Sequence, residues 1–382
     1  MCSSDLTALE TFELPDCEVK IDSYAFYKCS ALKTLKFGAN TKIKNIEGFV
    51  FKDTRLDTFE VNAGNVNYAS DGRFLTSADG NTIILAAIGV RYENLTIDEK
   101  YTAIADSAFA GVDVVSVTIL NKKTTIGNFA FASCENLEKL TLPIETGVII
   151  GKRAFTVCSK LEIAENLDKV ASIGEYAFAN SGIKNASIAA NAQVGEGAFY
   201  NSKIDSVTIG ANASFATGVF QNCTSLKTVN MPSEGGVYFG NGCFANDTNL
   251  VSIDLSKVGD TLGDEAFYGC TKLMVANLAN VKYIGKYAFA DCAGLGEVYI
   301  PVVITIGQGA FGRYGQYASA PCFESIELPS TLKSIGEGAF VYNTKLKNIT
   351  IPSSVEEVGQ YVFAYCTSLQ SAVLPENMQE IP

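Results

Sequence analysis

This sequence lacks part of the set of residue types that most enzymes use for acid–base or metal chemistry. It contains no histidine, which removes Ser-His-Asp and Cys-His nucleophilic catalysis and every metal site that needs an imidazole. Its eleven cysteines follow the period of a repeat, and no C-x-x-C pair occurs among them. We therefore predict no metal site, and we expect most of the thiols to be buried and reduced.

Carboxylates remain as a possible source of chemistry. Glu297 is a candidate to pair with Asp254 or with Glu324 across neighbouring strands, and two carboxyl groups at a suitable separation are enough to hydrolyse a glycoside. Outward strand positions are polar by default, however, so the favoured interpretation is that these side chains are solvated. We predict a protein that is not an enzyme, with a carbohydrate-active enzyme fragment as a remote alternative.

A glycine pattern resembles a nucleotide-binding fingerprint. Gly307, Gly309 and Gly312 are spaced as G-x-G-x-x-G. The pattern opens no helix of a Rossmann unit, and it coincides with a recurring I-G-x-G-A-F segment followed by a chance third glycine. No cofactor is predicted.

Charge and hydropathy exclude two classes of partner. The formal net charge of −12 and the pI near 4.7 oppose binding to nucleic acid and to anionic lipid. No window of about 18 uninterrupted apolar residues occurs, so membrane insertion is not expected. With 47% apolar and 18% charged residues, the chain is expected to fold.

The remaining features belong to a repeat, whose clearest copy is I-G-K-Y-A-F-A-D-C-A-G-L-G-E-V-Y-I-P at residues 284–301. Its A-F phenylalanine recurs as an anchor, mostly every 21–25 residues, and this period is typical of a leucine-rich-repeat solenoid. The anchors are Phe26, Phe51, Phe109, Phe131, Phe155, Phe178, Phe199, Phe220, Phe244, Phe267, Phe289, Phe311, Phe340 and Phe363. We predict about 14 repeats in a single solenoid over residues 1–382.

Each repeat predicts the same order of elements. An L-x-x-L-x-L segment such as Leu295 to Ile300 alternates like a strand with one buried face, and a shorter extended piece ending in I-G follows it. The predicted fold is mainly β, a right-handed solenoid with a parallel sheet on one face. The turn from the anchor to the next strand takes six residues in nine repeats and five in four others. Seven of the nine longer turns carry Cys three residues after the anchor, which we interpret as the packing of a small apolar side chain.

Two segments interrupt the period. Residues 62–95 carry the turn signals Asp71-Gly72 and Asp79-Gly80, which indicate a hairpin-like insertion. Residues 312–322 form a loop insertion that contains Arg313, Tyr314 and Tyr317. Inserted loops of solenoids often bind partners, although a solvated loop is the simpler interpretation.

The outward positions of the strands provide a second candidate surface. Stacking of the repeats would place them on one continuous face. The candidate partner-binding residues on this face are Asn230, Asp254, Asn277, Glu297 and Tyr299.

The pattern I-G-x-x-A-F-x-x-C-x-x-L-x-x-L-x-L-P resembles the BspA-type leucine-rich repeats of bacterial and protozoan surface proteins. The segment N-V-N-Y-A-S-D-G at residues 65–72 is similar to the usual insertion of that family. The resemblance implies a secreted or cell-surface module that binds a protein, a matrix component or another cell, and it transfers no catalytic residue. Both termini stop within repeat material and no export signal is visible, so we expect a segment of a longer protein. A structural spacer within a surface protein is the alternative function, and the oligomeric state is left open.

Overall fold

The fold was analysed in a computed structural model, which describes residues 8–22, 24–46, 50–314 and 320–375. The chain divides into two compact units, residues 1–183 and 184–382. In the part of the chain that the structure describes, the regular elements are β-strands and two short 3-10 helices, Leu167–Lys169 and Leu255–Lys257. The chain is therefore a β-solenoid protein with almost no helix, as its sequence predicts.

The described residues of the first unit form sixteen strands. They are β1 (Thr11–Glu13), β2 (Glu18–Ile21), β3 (Thr34–Phe37), β4 (Lys42–Ile46), β5 (Thr58–Val61), β6 (Tyr68–Ser70), β7 (Phe74–Ser77), β8 (Thr82–Ala86), β9 (Tyr92–Ile97), β10 (Ala103–Ile104), β11 (Val114–Ile119), β12 (Thr125–Ile126), β13 (Lys139–Thr141), β14 (Ile149–Ile150), β15 (Ile163–Glu165) and β16 (Ser172–Ile173).

A further sixteen strands lie in the part of the second unit that the structure describes. They are β17 (Asn185–Ile188), β18 (Gln193–Val194), β19 (Ser206–Ile209), β20 (Ser214–Phe215), β21 (Thr228–Asn230), β22 (Tyr238–Phe239), β23 (Ser252–Ile253), β24 (Thr261–Leu262), β25 (Val275–Asn277), β26 (Tyr283–Ile284), β27 (Glu297–Tyr299), β28 (Thr305–Ile306), β29 (Ser334–Ile335), β30 (Asn348–Thr350), β31 (Glu357–Val358) and β32 (Ser371–Val373).

Each regular turn contributes strands to two parallel sheets. The L-x-x-L-x-L segments pair with one another, as in the order β17-β19-β21-β23-β25-β27. The shorter segments before the I-G pair also pair in parallel, as β24, β26, β28, β29 and β31 do. The sequence predicts the short extended piece but only one sheet, so the second sheet is an addition to the predicted architecture.

The segment between Phe51 and Phe109 contains antiparallel strands. β6 pairs with β7 and β7 pairs with β8, while β8 pairs in parallel with β10. Asp71-Gly72 and Asp79-Gly80 lie in the two connecting turns, where Gly72 and Gly80 have φ of 95° and 72°. These residues therefore form a three-stranded meander whose last strand joins the short-strand sheet.

The anchor phenylalanines stack on one another through the core of each unit. Ring centroids of neighbouring anchors lie 5.2 Å apart for Phe131 and Phe155, and 5.4 Å apart for Phe289 and Phe311, with nearly parallel planes. All four of these rings have 0% exposure. The rings stay in contact although the number of residues between anchors varies, from 22 between Phe289 and Phe311 to 29 between Phe311 and Phe340.

We call the residue three positions after each anchor the rung residue, and in several turns it is a cysteine whose thiol connects neighbouring turns by a hydrogen bond. The Cys292 thiol donates to the Phe267 carbonyl oxygen at 3.0 Å, one turn earlier, and the Cys158 thiol donates to that of Phe131 at 3.1 Å. The sequence interpretation of these cysteines as small apolar side chains is incomplete, because their thiols are buried hydrogen-bond donors.

Close contact between turns explains the glycine of the I-G pair. Gly285 and Gly307 do not have positive φ; instead, a Cβ on Gly307 would lie 2.6 Å from the carbonyl carbon of Gly285. Glycine is required at this position because the neighbouring backbone leaves no space for a side chain.

Two positions of most turns adopt the left-handed conformation, at two residues before and two residues after the anchor, with Arg313 after Phe311 as an exception. In the second unit the first position includes Gly197, Gly218, Gly242, Glu265, Tyr287, Gly309, Gly338 and Tyr361. The second position includes Asn201, Asn222, Asn246, Gly269, Asp291, Tyr342 and Tyr365. Glycine and asparagine tolerate this conformation best, which explains their frequency there.

Glu265 tests the cost of the left-handed backbone, because its φ is 57° and its side chain is exposed. We expect Glu265→Gly to stabilise the protein by about 0.5–1 kcal/mol, since relief of the left-handed strain exceeds the added entropy of the unfolded chain. Urea denaturation followed by tyrosine fluorescence would measure this, as the chain has no tryptophan. Glu337→Gly is the matched control: Glu337 is exposed and lacks positive φ, so this change should destabilise. Equal destabilisation by both changes would contradict the expectation.

Candidate functional site

The outward side chains of neighbouring strands in the second unit form the candidate surface. β21, β23, β25 and β27 pair in parallel, and their inward residues, such as Ile253 and Ala276, are buried. Their register aligns the outward residues Thr228, Ser252, Val275 and Glu297 in one row. Asn277 and Tyr299 lie side by side in a second row. Because side chains alternate along a strand, both rows face away from the core.

An apolar cluster occupies this face. Val251, Met274, Val275 and Tyr299 are 42%, 56%, 40% and 60% exposed, and we call these four residues the sheet-face patch. They lie on or directly before three consecutive strands, and the Met274 amide donates to the Val251 carbonyl oxygen at 2.9 Å. Single exposed apolar residues are common on protein surfaces, but a contiguous group is characteristic of an interaction site.

Polar groups surround the sheet-face patch. The Asn230 side-chain amide donates to the Thr208 hydroxyl at 3.3 Å, and the Asp254 carboxylate accepts from the Ser256 amide at 2.9 Å. The carbonyl oxygen of the Asn277 side chain is buried and has no hydrogen-bond partner among the described residues. Glu297 is exposed and has no ion-pair partner among the residues that the structure describes. The surroundings of the patch are therefore polar and carry negative charge.

One of the candidate carboxylates, Glu324, does not have the electrostatics of a general acid. The Lys347 ammonium lies 2.6 Å from Glu324, and its hydrogen bond and charge lower the pKa of that carboxyl. A general acid in glycoside hydrolysis needs a raised pKa, so that it is protonated at neutral pH. Glu324 is therefore held in the ionised form, which does not suit it to donate a proton.

The loop after Phe311 packs against the segments that carry the anchor phenylalanines of neighbouring turns, a surface that we call the turn side. The Arg313 guanidinium lies 4.4 Å from the centre of the Tyr342 ring, which stacks on Tyr365 at 4.4 Å. The Tyr314 ring meets Tyr287 edge to face at 4.5 Å, and burial raises the pKa of Tyr314 to about 12. Tyr317, the third loop candidate, lies outside the described residues.

The G-x-G-x-x-G pattern is explained by this packing. Gly309 is left-handed, with φ of 59°, and a Cβ there would lie 2.5 Å from the Tyr314 ring and 2.6 Å from the Tyr287 ring. A Cβ on Gly312 would lie 2.8 Å from Val341 and 3.1 Å from Tyr314. The third glycine is thus not a chance match, because it makes space for the Tyr314 ring.

The sequence candidates fall into two separate groups. Asn230, Asp254, Asn277, Glu297 and Tyr299 belong to the sheet face, whereas Arg313 and Tyr314 belong to the turn side. Sequence reasoning missed the exposed Val251, Met274 and Val275 as candidates. The signal was their apolar character at positions that are usually polar.

Metal sites and membrane-spanning helices are two further classes of feature to consider in the described residues. No group of three or more cysteine, aspartate or glutamate side chains within those ranges is arranged to hold a metal ion. Over the same residues, no helix has the length and apolar character needed to cross a bilayer.

Comparison with known proteins identifies the repeat family and the solved structures to which the chain is similar. The family model for the BspA type leucine rich repeat region (6 copies) matches residues 3–87, 89–204, 192–316 and 313–382. No curated protein sequence matches the chain. A solved leucine-rich repeat protein from Bacteroides ovatus is 22% identical, with 95% of this chain and 86% of that chain covered and a TM-score of 0.49. A leucine rich cell surface protein from Faecalibacterium prausnitzii is 20% identical, with 82% and 95% covered and a TM-score of 0.42. A leucine-rich repeat protein from T. pallidum is 23% identical, with 50% and 89% covered and a TM-score of 0.41.

Gly309 tests the packing around Tyr314. We expect Gly309→Ala to destabilise the protein by about 2–4 kcal/mol, because it combines left-handed strain with a clash against two rings. The urea midpoint would measure the loss. Gly236→Ala is the control in the same unit, since no atom lies within 4 Å of a Cβ there and its φ is not positive. A Gly309→Ala variant as stable as the control would contradict the described packing.

Proposed function

Because the chain belongs to the BspA-type leucine-rich repeat family, we propose that it is a non-catalytic binding module whose sheet-face patch holds a protein partner. Leucine-rich repeat proteins are generally non-catalytic and typically bind proteins, and the BspA-type family is typically surface-associated. We propose accordingly that this module works outside the cell or at its surface, on a protein, a matrix component or another cell.

The exposed apolar cluster is the observation that supports this proposal. Tyr299 exposes 60% of its surface at a strand position where the neighbouring strand carries Asn277, and Met274 exposes 56% directly before that neighbouring strand. Burial of such side chains by a partner is favourable by about 25 cal/mol per Å² of apolar area, and tyrosine is enriched at the energetic centres of interfaces. A polar solvated face would not require these residues.

Charge selects the kind of partner. Lysines of the chain commonly pair with carboxylates of a neighbouring turn, as Lys227 does with Asp205 and Lys347 with Glu324. Glu297 and Asp254 beside the patch have no such ion pair in the described ranges, and the chain carries a net charge of −12. A partner segment with lysine or arginine next to apolar side chains is therefore complementary to this face.

Binding to purified proteins tests the proposal. The full chain would be applied to immobilised fibronectin, laminin and collagen and to intact epithelial cells, and dissociation constants would be measured. We expect Met274→Ser combined with Tyr299→Ser to weaken binding by about tenfold or more, as loss of interface anchors does. Because both side chains are exposed, the change should leave the urea midpoint nearly unaltered.

Matched variants separate the alternatives. Tyr238→Ser is the control for the patch, because Tyr238 is 59% exposed but lies on β22 in the short-strand sheet of the same unit. Arg313→Ala combined with Tyr317→Ala tests the loop. Loss of binding in the loop variant alone would assign the site to the loop and overturn the patch. Absence of binding by the parent chain to every probe would favour a structural spacer.

A further inference from the structure

One buried carboxyl in the core of the second unit has no partner. Asp247 is the rung residue of the turn anchored by Phe244, and its exposure is 0%. Neither of its carboxylate oxygens has a hydrogen-bond partner in the part of the chain that the structure describes. An ionised carboxylate in such an environment is strongly unfavourable, because burial without a counter-charge removes its hydration.

Equivalent rung residues are hydrogen-bond donors. The Cys223 thiol donates to the Phe199 carbonyl oxygen and the Cys270 thiol donates to that of Phe244, both at 3.0 Å. Asn343 uses its side-chain amide for the same purpose, donating to the Phe311 carbonyl oxygen at 2.7 Å. The offset is one turn in every case, so the acceptor that corresponds to Asp247 is the carbonyl oxygen of Phe220.

An ionised Asp247 cannot act as a rung. A carboxylate only accepts hydrogen bonds, and it would bring negative charge towards a carbonyl oxygen. A protonated carboxyl has one O–H donor, which is the feature that Cys and Asn share in this position.

We infer that Asp247 is a neutral carboxylic acid in the folded protein, with its O–H donating to the Phe220 carbonyl oxygen, so that folding of the second unit takes up a proton. The titratable groups that face it are thiols: Cys223 of the preceding turn, Cys243 of its own turn and Cys270 of the following turn. All three are buried.

The electrostatic surroundings agree with this assignment. Burial raises the pKa of Asp247 well above its ordinary value of 3.8, and the Cys223 amide opposes this only in part. Burial also raises the pKa of the Cys223 and Cys243 thiols, and a charge on Asp247 would raise both further. Burial thus favours the uncharged form of Asp247 and of both thiols.

The sign of the pH dependence follows from the raised pKa. A proton held more tightly in the folded state contributes stability in full below the unfolded value of 3.8, and this contribution decreases as the pH rises towards the folded value. Asp247 thus makes the second unit less stable with rising pH, which is opposite to the effect of a salt-bridged surface carboxylate.

Asp247→Asn is the direct test, because Asn343 shows that an amide fits a rung position. Urea unfolding of the full parent chain and of the variant would be measured from pH 5 to pH 8. The unfolding equilibrium constant of the parent, divided by that of the variant, should increase about tenfold per pH unit until the folded pKa is passed. A ratio that does not change with pH would overturn the inference.

Two further measurements keep the test independent of that one variant. Asp247→Cys introduces the residue found in most other rungs and should remove the pH dependence in the same way. Asn343→Asp should create a second decrease in stability with rising pH, and no added pH dependence would count against the mechanism. The infrared band of a protonated carboxylic acid should be present in the parent at pH 7 and lost in Asp247→Asn, and its absence from the parent would overturn the inference directly.

Discussion

The carbonyl oxygen of an anchor phenylalanine ties one turn to the next wherever the following rung residue donates to it. The Phe267 oxygen accepts the amide of Cys270 in its own turn and the thiol of Cys292 in the following one, while its ring stacks on Phe289. A buried carbonyl that loses such a partner costs about 1–3 kcal/mol. The offset between turns is therefore fixed, and backbones approach so closely that Gly285 and Gly307 cannot carry side chains.

This constraint explains how much the sequence could predict. The anchors, the L-x-x-L-x-L strands and the solenoid follow from apolar residues that recur in register, because each packs against its own equivalent. The sequence could not show whether the rung residue packs as an apolar side chain or donates a hydrogen bond, since cysteine is both a small apolar side chain and a weak donor. Asp247 and Asn343 at the same offset carried the missing information: neither is apolar, and Asn343 donates a hydrogen bond.

The candidate surface was predictable in position but not in character. Alternation along the strands assigns Val275 and Tyr299 to the outward face, and the exposed Met274 directly precedes Val275. Apolar residues in a strand are usually part of a core, however, and periodicity does not show which of them a partner would cover. The loop candidates differ from the residues of the sheet face in that they already contact other parts of the chain. Arg313 and Tyr314 pack on tyrosines of neighbouring turns, and Gly309 and Gly312 accommodate the Tyr314 ring.

The hydrogen bonds of the rungs also govern how the array can change in length. If residues 268–289 were excised, Cys292 would become the third residue after Phe267, and its thiol would meet the Phe244 carbonyl oxygen as that of Cys270 now does. Unequal recombination between repeats therefore preserves every contact type while altering the number of turns. Asp247 is an exception, since duplication of its turn would place two buried acids in adjacent rungs.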